Sequence, residues 1–291
     1  MAGRVAPAGS EALKVQFTKM HGAGNDFVVI DNVRQNLRLT PSHIRRIANR
    51  QRGIGCDQVL LVAPPDDPDA DFSYRIFNAD GSLAGQCGNG ARCFARFVRE
   101  QRLSWKKALC VQAPGGLMQL EIEDDGRIRA NLGIPGFDPR DIPFECDVES
   151  LDYSIDVSGD CHTVGALSMG NPHAVLIVDD IQKAPVKSLG AAIENHSRFK
   201  DRTNVGFMQI VNPKEIKLRV FERGAGETLA CGTGACAAAV YGIRKGLLNN
   251  AVTVHLPGGK LTVAWQGDGA PVWLGGPTAS VFDGTITLNN R

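Results

Sequence analysis

The chain has 291 residues, of which 43% are hydrophobic and 22% charged, enough for one large domain or two of ordinary size. Its 32 basic and 31 acidic residues give a net charge of +1, without the basic excess typical of nucleic-acid and membrane surfaces. No apolar run approaches the ~20 residues that span a bilayer. We therefore expect a cytoplasmic protein with no nucleic-acid or membrane partner.

The first segment, MAGRVAPAGS, is small and polar and lacks the apolar core of a secretory signal. We expect residues 1–16 to form a disordered leader. Thr40 followed by Pro41 predicts a capped helix start, with the helix running to about residue 50. Runs rich in β-branched and apolar residues predict strands at 58–63, 72–77, 109–113, 117–123, 173–178, 205–211, 217–221, 252–256 and 261–265.

A helix is predicted after each of two Cys-Gly-x-Gly turns. After the first turn, Ala91, Phe94, Ala95 and Val98 have the i, i+3, i+4, i+7 spacing of an amphipathic helix. After the second, residues 234–243 are almost all small, so a curved sheet should enclose them tightly. These elements predict an α+β protein built of two antiparallel sheets or barrels, each around a central helix.

The sequence repeats itself. The segment QCGNGA at 86–91 resembles ACGTGA at 230–235, and RIF at 75–77 resembles RVF at 219–221, both at an offset of 144 residues. A Gly-Asn pair and a Gly-x-x-Gln segment precede each cysteine motif in the same order: Gly24-Asn25 and Gly170-Asn171, then Gly55 with Gln58 and Gly206 with Gln209. The order indicates a duplicated, pseudo-symmetric protein. The boundary should fall near residues 131–139, where Gly and Pro cluster.

Cys87 and Cys231 stand at the starts of the two predicted helices. The positive end of a helix dipole favours a thiolate, which is the form of cysteine that acts as a base. The N–H groups that follow can bind a carboxylate. If the two helix starts converge across a pseudo-two-fold axis, one thiolate can remove an α-hydrogen while the opposite thiol protonates the other face. The pair therefore predicts two-base racemisation.

Other polar residues near these motifs are candidates for the same site. His173 could tune a thiol by charge or by a hydrogen bond, and Arg223 suits bidentate capture of a carboxylate. Five asparagines in Gly-rich turns suggest an amide-lined pocket for a zwitterion: Asn25, Asn78, Asn89, Asn171 and Asn204. No Gly-Lys-Ser/Thr or strand–GxGxxG–helix unit follows the Gly-x-Gly turns, which argues against nucleotide binding.

The sequence resembles the diaminopimelate epimerase family from Phe17 to about Leu288. The resemblance rests on six motifs: MHGAGNDF (20–27), FNADGS (77–82), QCGNGAR (86–92), GNPH (170–173), TNVGF (203–207) and ERGAGETLACGTGA (222–235). It implies two pseudo-symmetric α+β domains, placed at 17–131 with 277–291 and at 132–276. It also implies interconversion of LL- and meso-diaminopimelate without pyridoxal phosphate or metal, in lysine and peptidoglycan synthesis.

The resemblance assigns a role to each matching residue. Cys87 and Cys231 would be the catalytic acid and base, and His173 and Glu222 would tune the thiols. The carboxylate at the reacting centre would be held by Gly88, Asn89, Gly232 and Thr233. The remainder of the substrate would be bound by Asn25, Gln58, Asn78, Asn171, Asn204, Glu222 and Arg223. No cofactor is expected, and a homodimer is compatible with the sequence although no feature requires one.

Three alternatives remain at this point. A proline or hydroxyproline racemase has the same architecture, but its substrate lacks a second amino-acid end for Arg223 to bind. An isomerase of this fold with other acid/base groups conflicts with the presence of both cysteines. A non-catalytic or redox-sensing thiol protein would use the cysteine pair for a disulfide and would keep some function after Cys231→Ser.

Overall fold

The computed structural model describes residues 12–85, 87–146 and 148–289. Within these ranges the chain forms 17 strands and five helices. The strands are β1 (Leu13–Gly22), β2 (Asn25–Asp31), β3 (Gln58–Ala63), β4 (Phe72–Asn78), β5 (Ala108–Ala113), β6 (Gly116–Ile122), β7 (Ile128–Asn131), β8 (Tyr153–Val157), β9 (Asp160–Ser168), β10 (Pro172–Ile177), β11 (Asn204–Asn212), β12 (Glu215–Glu222), β13 (Gly226–Thr228), β14 (Ala251–Leu256), β15 (Gly259–Ala264), β16 (Trp273–Gly276) and β17 (Ala279–Leu288). The helices are α1 (Asn32–Gln35), α2 (Pro41–Ala48), α3 (Gly88–Glu100), α4 (Val186–Glu194) and α5 (Gly232–Arg244).

The strand pairing repeats in the two halves. In the first half the strands pair in the order β1-β2-β3-β4-β5-β6-β7, and in the second in the order β9-β10-β11-β12-β14-β15-β16. The antiparallel pair β7–β16 joins the two sheets. Three strands are added to this pattern: β17 pairs with β1, β8 with β9, and β13 with β12. The predicted duplication is therefore present in the topology.

The predicted fold class is confirmed, with one difference in the sheets. We expected antiparallel sheets, but each half contains two parallel pairs, β2–β3 and β4–β5 in the first and β10–β11 and β12–β14 in the second. A parallel pair needs a crossover rather than a hairpin. Helices occupy these crossovers, and the longest, α3 and α5, lie in corresponding ones.

The two long helices are enclosed by the sheets. Helix α3 packs against β1, β2, β3, β6 and β7, and α5 packs against β9, β10, β11, β12 and β15. The predicted apolar stripe of α3 is fully buried, and the small residues 235–240 of α5 are completely inaccessible. Small side chains let strands approach the axis of α5 closely, because a larger Cβ substituent would collide with the sheet.

Several predicted boundaries need correction. The leader prediction is wrong for residues 13–16, which belong to β1 and pair with β17; residues 1–11 lie outside the described residues. Helix α2 begins at Pro41 with Thr40 as its cap, as predicted, but ends at Ala48 because Asn49 takes an extended conformation. The limits of the two domains stay a prediction. Among the described residues, no helix is long and apolar enough to cross a membrane.

One of the repeat matches is also wrong. The register pairs Phe27 with Gln58 and His173 with Asn204, so Asn204 occupies the place of Gln58 in the second half. Gln209 lies further along β11, where its side chain accepts a hydrogen bond from Ile181 N at 3.2 Å. Only the strand register reveals this correspondence, because the two residues differ in type.

Candidate active site

Cys87 and Cys231 cap the two central helices in the same geometry. Their backbone angles are φ −128° and ψ 107° for Cys87, and φ −127° and ψ 112° for Cys231. Each Sγ accepts a hydrogen bond from the third helical N–H, that of Gly90 or Gly234, at 3.4 Å. Both thiols therefore lie against the positive end of a helix dipole, as the sequence predicts.

Both thiols line one cavity of about 1070 Å³ between the two halves. Most residues proposed from the sequence line it too: Asn25, Gln58, Asn78, Gly88, Asn89, Asn171, Glu222, Arg223, Gly232 and Thr233. His173 and Asn204 are not among the lining residues. These ten residues come from the first turns of α3 and α5 and from nearby loops and strand ends, so the fold brings sequence-distant motifs to one place.

The electrostatics of the thiols differ from the expectation that a helix start makes them easier to ionise. Burial raises the pKa of Cys87, although the N–H of Gly90 and the charge of Arg92 act in the opposite direction. Burial raises the pKa of Cys231 further, and the neighbouring Glu222 carboxylate adds to the rise. Desolvation thus outweighs the helix dipole at both thiols.

His173 is buried and does not carry a charge at neutral pH. Burial, with a smaller contribution from Arg223, lowers its pKa to about 3. Its Nε2 lies 3.0 Å from Asn171 Oδ1, and Asn171 Nδ2 lies 3.5 Å from Thr233 Oγ1. The Thr233 hydroxyl is in turn 3.6 Å from Cys231 Sγ. Of the two routes expected from the sequence, charge or hydrogen bond, these contacts favour the hydrogen-bond route to Cys231, and the tuning role of His173 stays a prediction.

Asn204 is buried behind the cavity and connects two of its walls. Its Oδ1 accepts a hydrogen bond from the backbone N–H of Arg223 at 3.0 Å, and its Nδ2 donates to Pro172 O at 2.9 Å. Arg223 itself lines the cavity and uses one guanidinium nitrogen to donate to Asp201 O at 2.9 Å. Asn204 thus holds the backbone from which Arg223 projects.

The remaining polar wall belongs to the first half and to β12. Gln58 donates to Asn78 Oδ1 at 3.1 Å, so the two amides form one continuous surface at the ends of β3 and β4. On the opposite side, Glu222 accepts a hydrogen bond from Thr228 Oγ1. This part of the cavity therefore offers amide groups, the Glu222 carboxylate and the Arg223 guanidinium, which together suit a zwitterionic ligand.

A charge network at the cavity was missed by the sequence interpretation. Arg50 contacts Asp26 at 2.8 Å and Asp57 at 2.7 Å, and all three residues line the cavity. Burial alone would raise the pKa of Asp26, but hydrogen bonds from Arg50 and Lys19 hold it well below its usual range. Asp26 and Asp57 are next in sequence to the predicted residues Asn25 and Gln58, and this proximity could have identified them. No neighbouring motif identifies Arg50.

This network fixes the orientation of Asn25. Its Nδ2 donates to Asp57 Oδ2 at 2.8 Å, and because a carboxylate only accepts, the amide oxygen must point the other way. Asn25 Oδ1 lies 3.7 Å from Cys87 Sγ. Among the described residues, no group of three His, Cys, Asp or Glu side chains is arranged to hold a metal ion.

Comparison with known proteins decides the family. The sequence model of the family described as Diaminopimelate epimerase matches residues 17–137 and 165–279. The chain belongs to the diaminopimelate epimerase family. The chain is 53% identical to the diaminopimelate epimerase of Stutzerimonas stutzeri over 274 residues, covering 94% of this chain and 99% of that protein. It is 56% identical to the one of Chromobacterium violaceum over 277 residues, covering 95% and 100%.

A solved structure supports the fold. A hydroxyproline epimerase from Agrobacterium vitis superimposes with a TM-score of 0.67 over 95% of this chain and 93% of that chain, at 15% sequence identity. At this identity the likeness concerns the fold alone. It places the chain in an architecture shared by enzymes of more than one substrate class, so the substrate must be argued from the family and from the cavity.

Proposed function

We propose that this protein is an amino-acid epimerase that interconverts LL- and meso-diaminopimelate. The observation that carries the proposal is the pair of thiols, Cys87 and Cys231, which cap two helices in the same geometry and line one cavity. Membership of the diaminopimelate epimerase family supplies the substrate. The product serves lysine and peptidoglycan synthesis, and we place the enzyme in the cytoplasm.

The two thiols are the catalytic acid and base of this proposal. One thiolate takes the α-hydrogen of the substrate, and the bonding electrons delocalise into the adjacent carboxylate. The opposite thiol then gives its proton to the other face of the same carbon. One proton is removed and one is added, so the configuration at the α-carbon is inverted and the thiol and thiolate have exchanged roles. No group outside the protein and substrate is needed to balance this step.

The helix starts bind the reacting carboxylate. Its negative charge increases as the proton leaves, and the N–H groups of the first helical turns are fixed in place to receive it. These groups belong to Gly88 and Asn89 on α3 and to Gly232 and Thr233 on α5. Because both helices point at the same cavity, the carboxylate is held from two sides and the α-carbon lies between the sulfurs.

The far end of diaminopimelate is a second amino acid, and the opposite wall of the cavity suits it. Arg223 binds the distal carboxylate, and Glu222 accepts from an ammonium group. The amides of Asn25, Gln58, Asn78 and Asn171 supply the remaining hydrogen bonds. Asn204 acts indirectly, by holding the backbone of Arg223. Proline lacks this second end, which favours diaminopimelate as the substrate. We also propose the domain limits 17–131 with 277–291 and 132–276.

The test is α-proton exchange in D₂O, followed by NMR, with LL-diaminopimelate and no added cofactor. We expect deuterium at one centre as the meso form appears. Cys87→Ala and Cys231→Ala should each abolish epimerisation, and Cys110→Ala, a half-buried cysteine on β5, is the matched control that should retain it. Folded, reduced protein that exchanges proline but not diaminopimelate would overturn the proposal.

A further inference from the structure

Arg92 is a buried cation that the proposed mechanism does not use. It lies one turn into α3, and its side chain has no exposed surface. Its guanidinium donates to Gly88 O at 3.1 Å and to Asn89 Oδ1 at 2.7 Å. Within the described ranges, no carboxylate pairs with it and its Nε has no hydrogen-bond partner. A buried charge normally has a counter-ion. A buried cation without a carboxylate partner therefore indicates that another nearby group carries the negative charge.

The surroundings of Arg92 identify that anion. The guanidinium reaches back to Gly88 O and Asn89 Oδ1 in the first turn of α3, which Cys87 caps. Its charge acts on the thiols of Cys93, Cys87 and Cys236 and on the phenol of Tyr74. Of these four groups, only Cys87 lines the cavity. Burial lowers the pKa of Arg92, but a guanidinium does not lose its proton in proteins. Arg92 is therefore a permanent charge behind the Cys87 thiol.

The pseudo-symmetry of the chain is broken at this residue. At the offset of 144 residues that relates Cys87 to Cys231, Arg92 corresponds to the neutral Cys236. The backbone keeps the symmetry, because α3 and α5 have the same length and the same cap geometry. The first thiol thus has a cation behind it, and the second has none at the matching position.

A second difference acts in the same direction. At the same offset Asn78, at the end of β4, corresponds to Glu222, at the end of β12. Glu222 and Cys231 line the same cavity, and the negative charge of Glu222 raises the pKa of the Cys231 thiol. The first half therefore has a neutral amide where the second half has a negative charge. Both differences between the halves favour a negative charge on Cys87 and a proton on Cys231.

We propose, on the basis of the proposed function, that Arg92 is a positioning residue that places the thiolate of the singly ionised pair on Cys87, while Glu222 keeps the proton on Cys231. Its second role is mechanical, since its bond to Asn89 Oδ1 turns the amide N–H groups of Asn89 away from Arg92. Gly276 makes room for it, because a Cβ there would lie 3.0 Å from Arg92 Nη2.

The other groups facing the two thiols do not reverse this assignment. Asn25 Oδ1 is 3.7 Å from Cys87 Sγ and favours the protonated thiol, but it is a neutral dipole at a long distance. The charge of Glu222 also raises the pKa of Cys87, yet the lowering effect of the Arg92 charge there is larger. At Cys231, Glu222 is the largest influence after burial.

The test reads one cavity thiol at a time, without substrate. Alkylation by iodoacetamide is followed by mass spectrometry over a range of pH, with Cys87 measured in Cys231→Ala protein and Cys231 in Cys87→Ala protein. The pH midpoint of the rate reports ionisation, whereas its plateau reports access. We expect the lower midpoint at Cys87. Adding Arg92→Met should raise the Cys87 midpoint by about one unit or more, and Glu222→Gln should lower that of Cys231.

Three controls separate charge from structure. Arg92→Lys keeps the charge and should leave the Cys87 midpoint close to the parent value. Arg96→Met makes the same chemical change one turn further along α3, at a partly exposed residue paired with Glu100, and should not move the midpoint. If Arg92→Met does not fold, the order of the two parent midpoints and the Glu222→Gln shift still show whether the thiolate lies on Cys87.

A lower midpoint at Cys231, or a folded Arg92→Met protein with an unchanged Cys87 midpoint, would overturn the assignment. Because the alkylation uses no substrate, such a result leaves the epimerase proposal standing. Conversely, a failed exchange reaction with diaminopimelate would leave the measured order of the thiols intact.

Discussion

Gly90 occupies the third position of α3, where its N–H binds the sulfur of Cys87. The position does not tolerate a side chain. A Cβ would lie 2.6 Å from Tyr74 Oη, 3.3 Å from Phe27 Cε1 and 3.4 Å from Ile76 Cδ1. These three side chains are completely buried, and Tyr74 also packs edge-on against Phe94. Gly90→Ala therefore forces either the tyrosine or the start of the helix to move.

The cost can be worked from these contacts. Overpacking a rigid core site costs about 1–3 kcal/mol. The Tyr74 hydroxyl donates to Cys87 O at 3.2 Å, and losing that bond adds about 1 kcal/mol. Alanine in place of glycine recovers up to about 1 kcal/mol of helix propensity. We expect a net destabilisation of about 2 kcal/mol, which lowers the Tm by roughly 4 °C or more at 2–4 °C per kcal/mol.

Thermal unfolding followed by circular dichroism measures the stability, and the epimerase assay measures the site. Because the Gly90 N–H and the Cys87 carbonyl both belong to the turn that moves, we expect activity to fall as well. Gly115→Ala is the matched control, since its Cβ would meet nothing within 4 Å. A Gly90→Ala protein with unchanged Tm and activity would refute the reasoning.

Three further predictions concern the cavity. Arg223→Lys should raise KM for diaminopimelate, because a point charge cannot reproduce a bidentate fork; unchanged kinetics would remove Arg223 from the site. His173, with its folded pKa near 3 against 6.5 when unfolded, should contribute a loss of stability as pH falls between these values, because the unfolded state takes up the proton. Acid unfolding of His173→Gln should occur at lower pH, and an identical midpoint would contradict this. Oxidation should link Cys87 to Cys231 and inactivate the enzyme reversibly, and mass spectrometry finding both thiols free would exclude it.

The sequence predicted the central part of the site because its signals are local. Cys87 and Cys231 each stand before Gly-x-Gly at the start of a helix, and the N-cap geometry follows from those few neighbouring residues. The buried stripe of α3 follows equally from its own periodicity. Strands such as β3 and β11 were predicted from their apolar runs, whereas β2 was missed despite its apolar run, and β13 and β17 give no such pattern.

The sequence could not predict which distant residues share a wall of the cavity. Arg50 follows a helix with no motif around it, and only the pairing of β2 with β3 brings Asp26 and Asp57 to it. That Asn204 takes the place of Gln58 in the second half is likewise visible only from the strand register. Register is set by pairing between residues far apart in the chain, so it does not follow from any local stretch of sequence.

By itself, the sequence determined that this protein is duplicated and that each half has a cysteine at a helix start, and it predicted these two cysteines as the acid and the base. The tertiary structure decided what charge each group carries. Burial keeps His173 neutral and raises the pKa of both thiols against their helix dipoles. In the part of the chain that the structure describes, no carboxylate pairs with the buried Arg92. The physical reason is that desolvation depends on everything packed around a group, and most of those neighbours come from elsewhere in the chain.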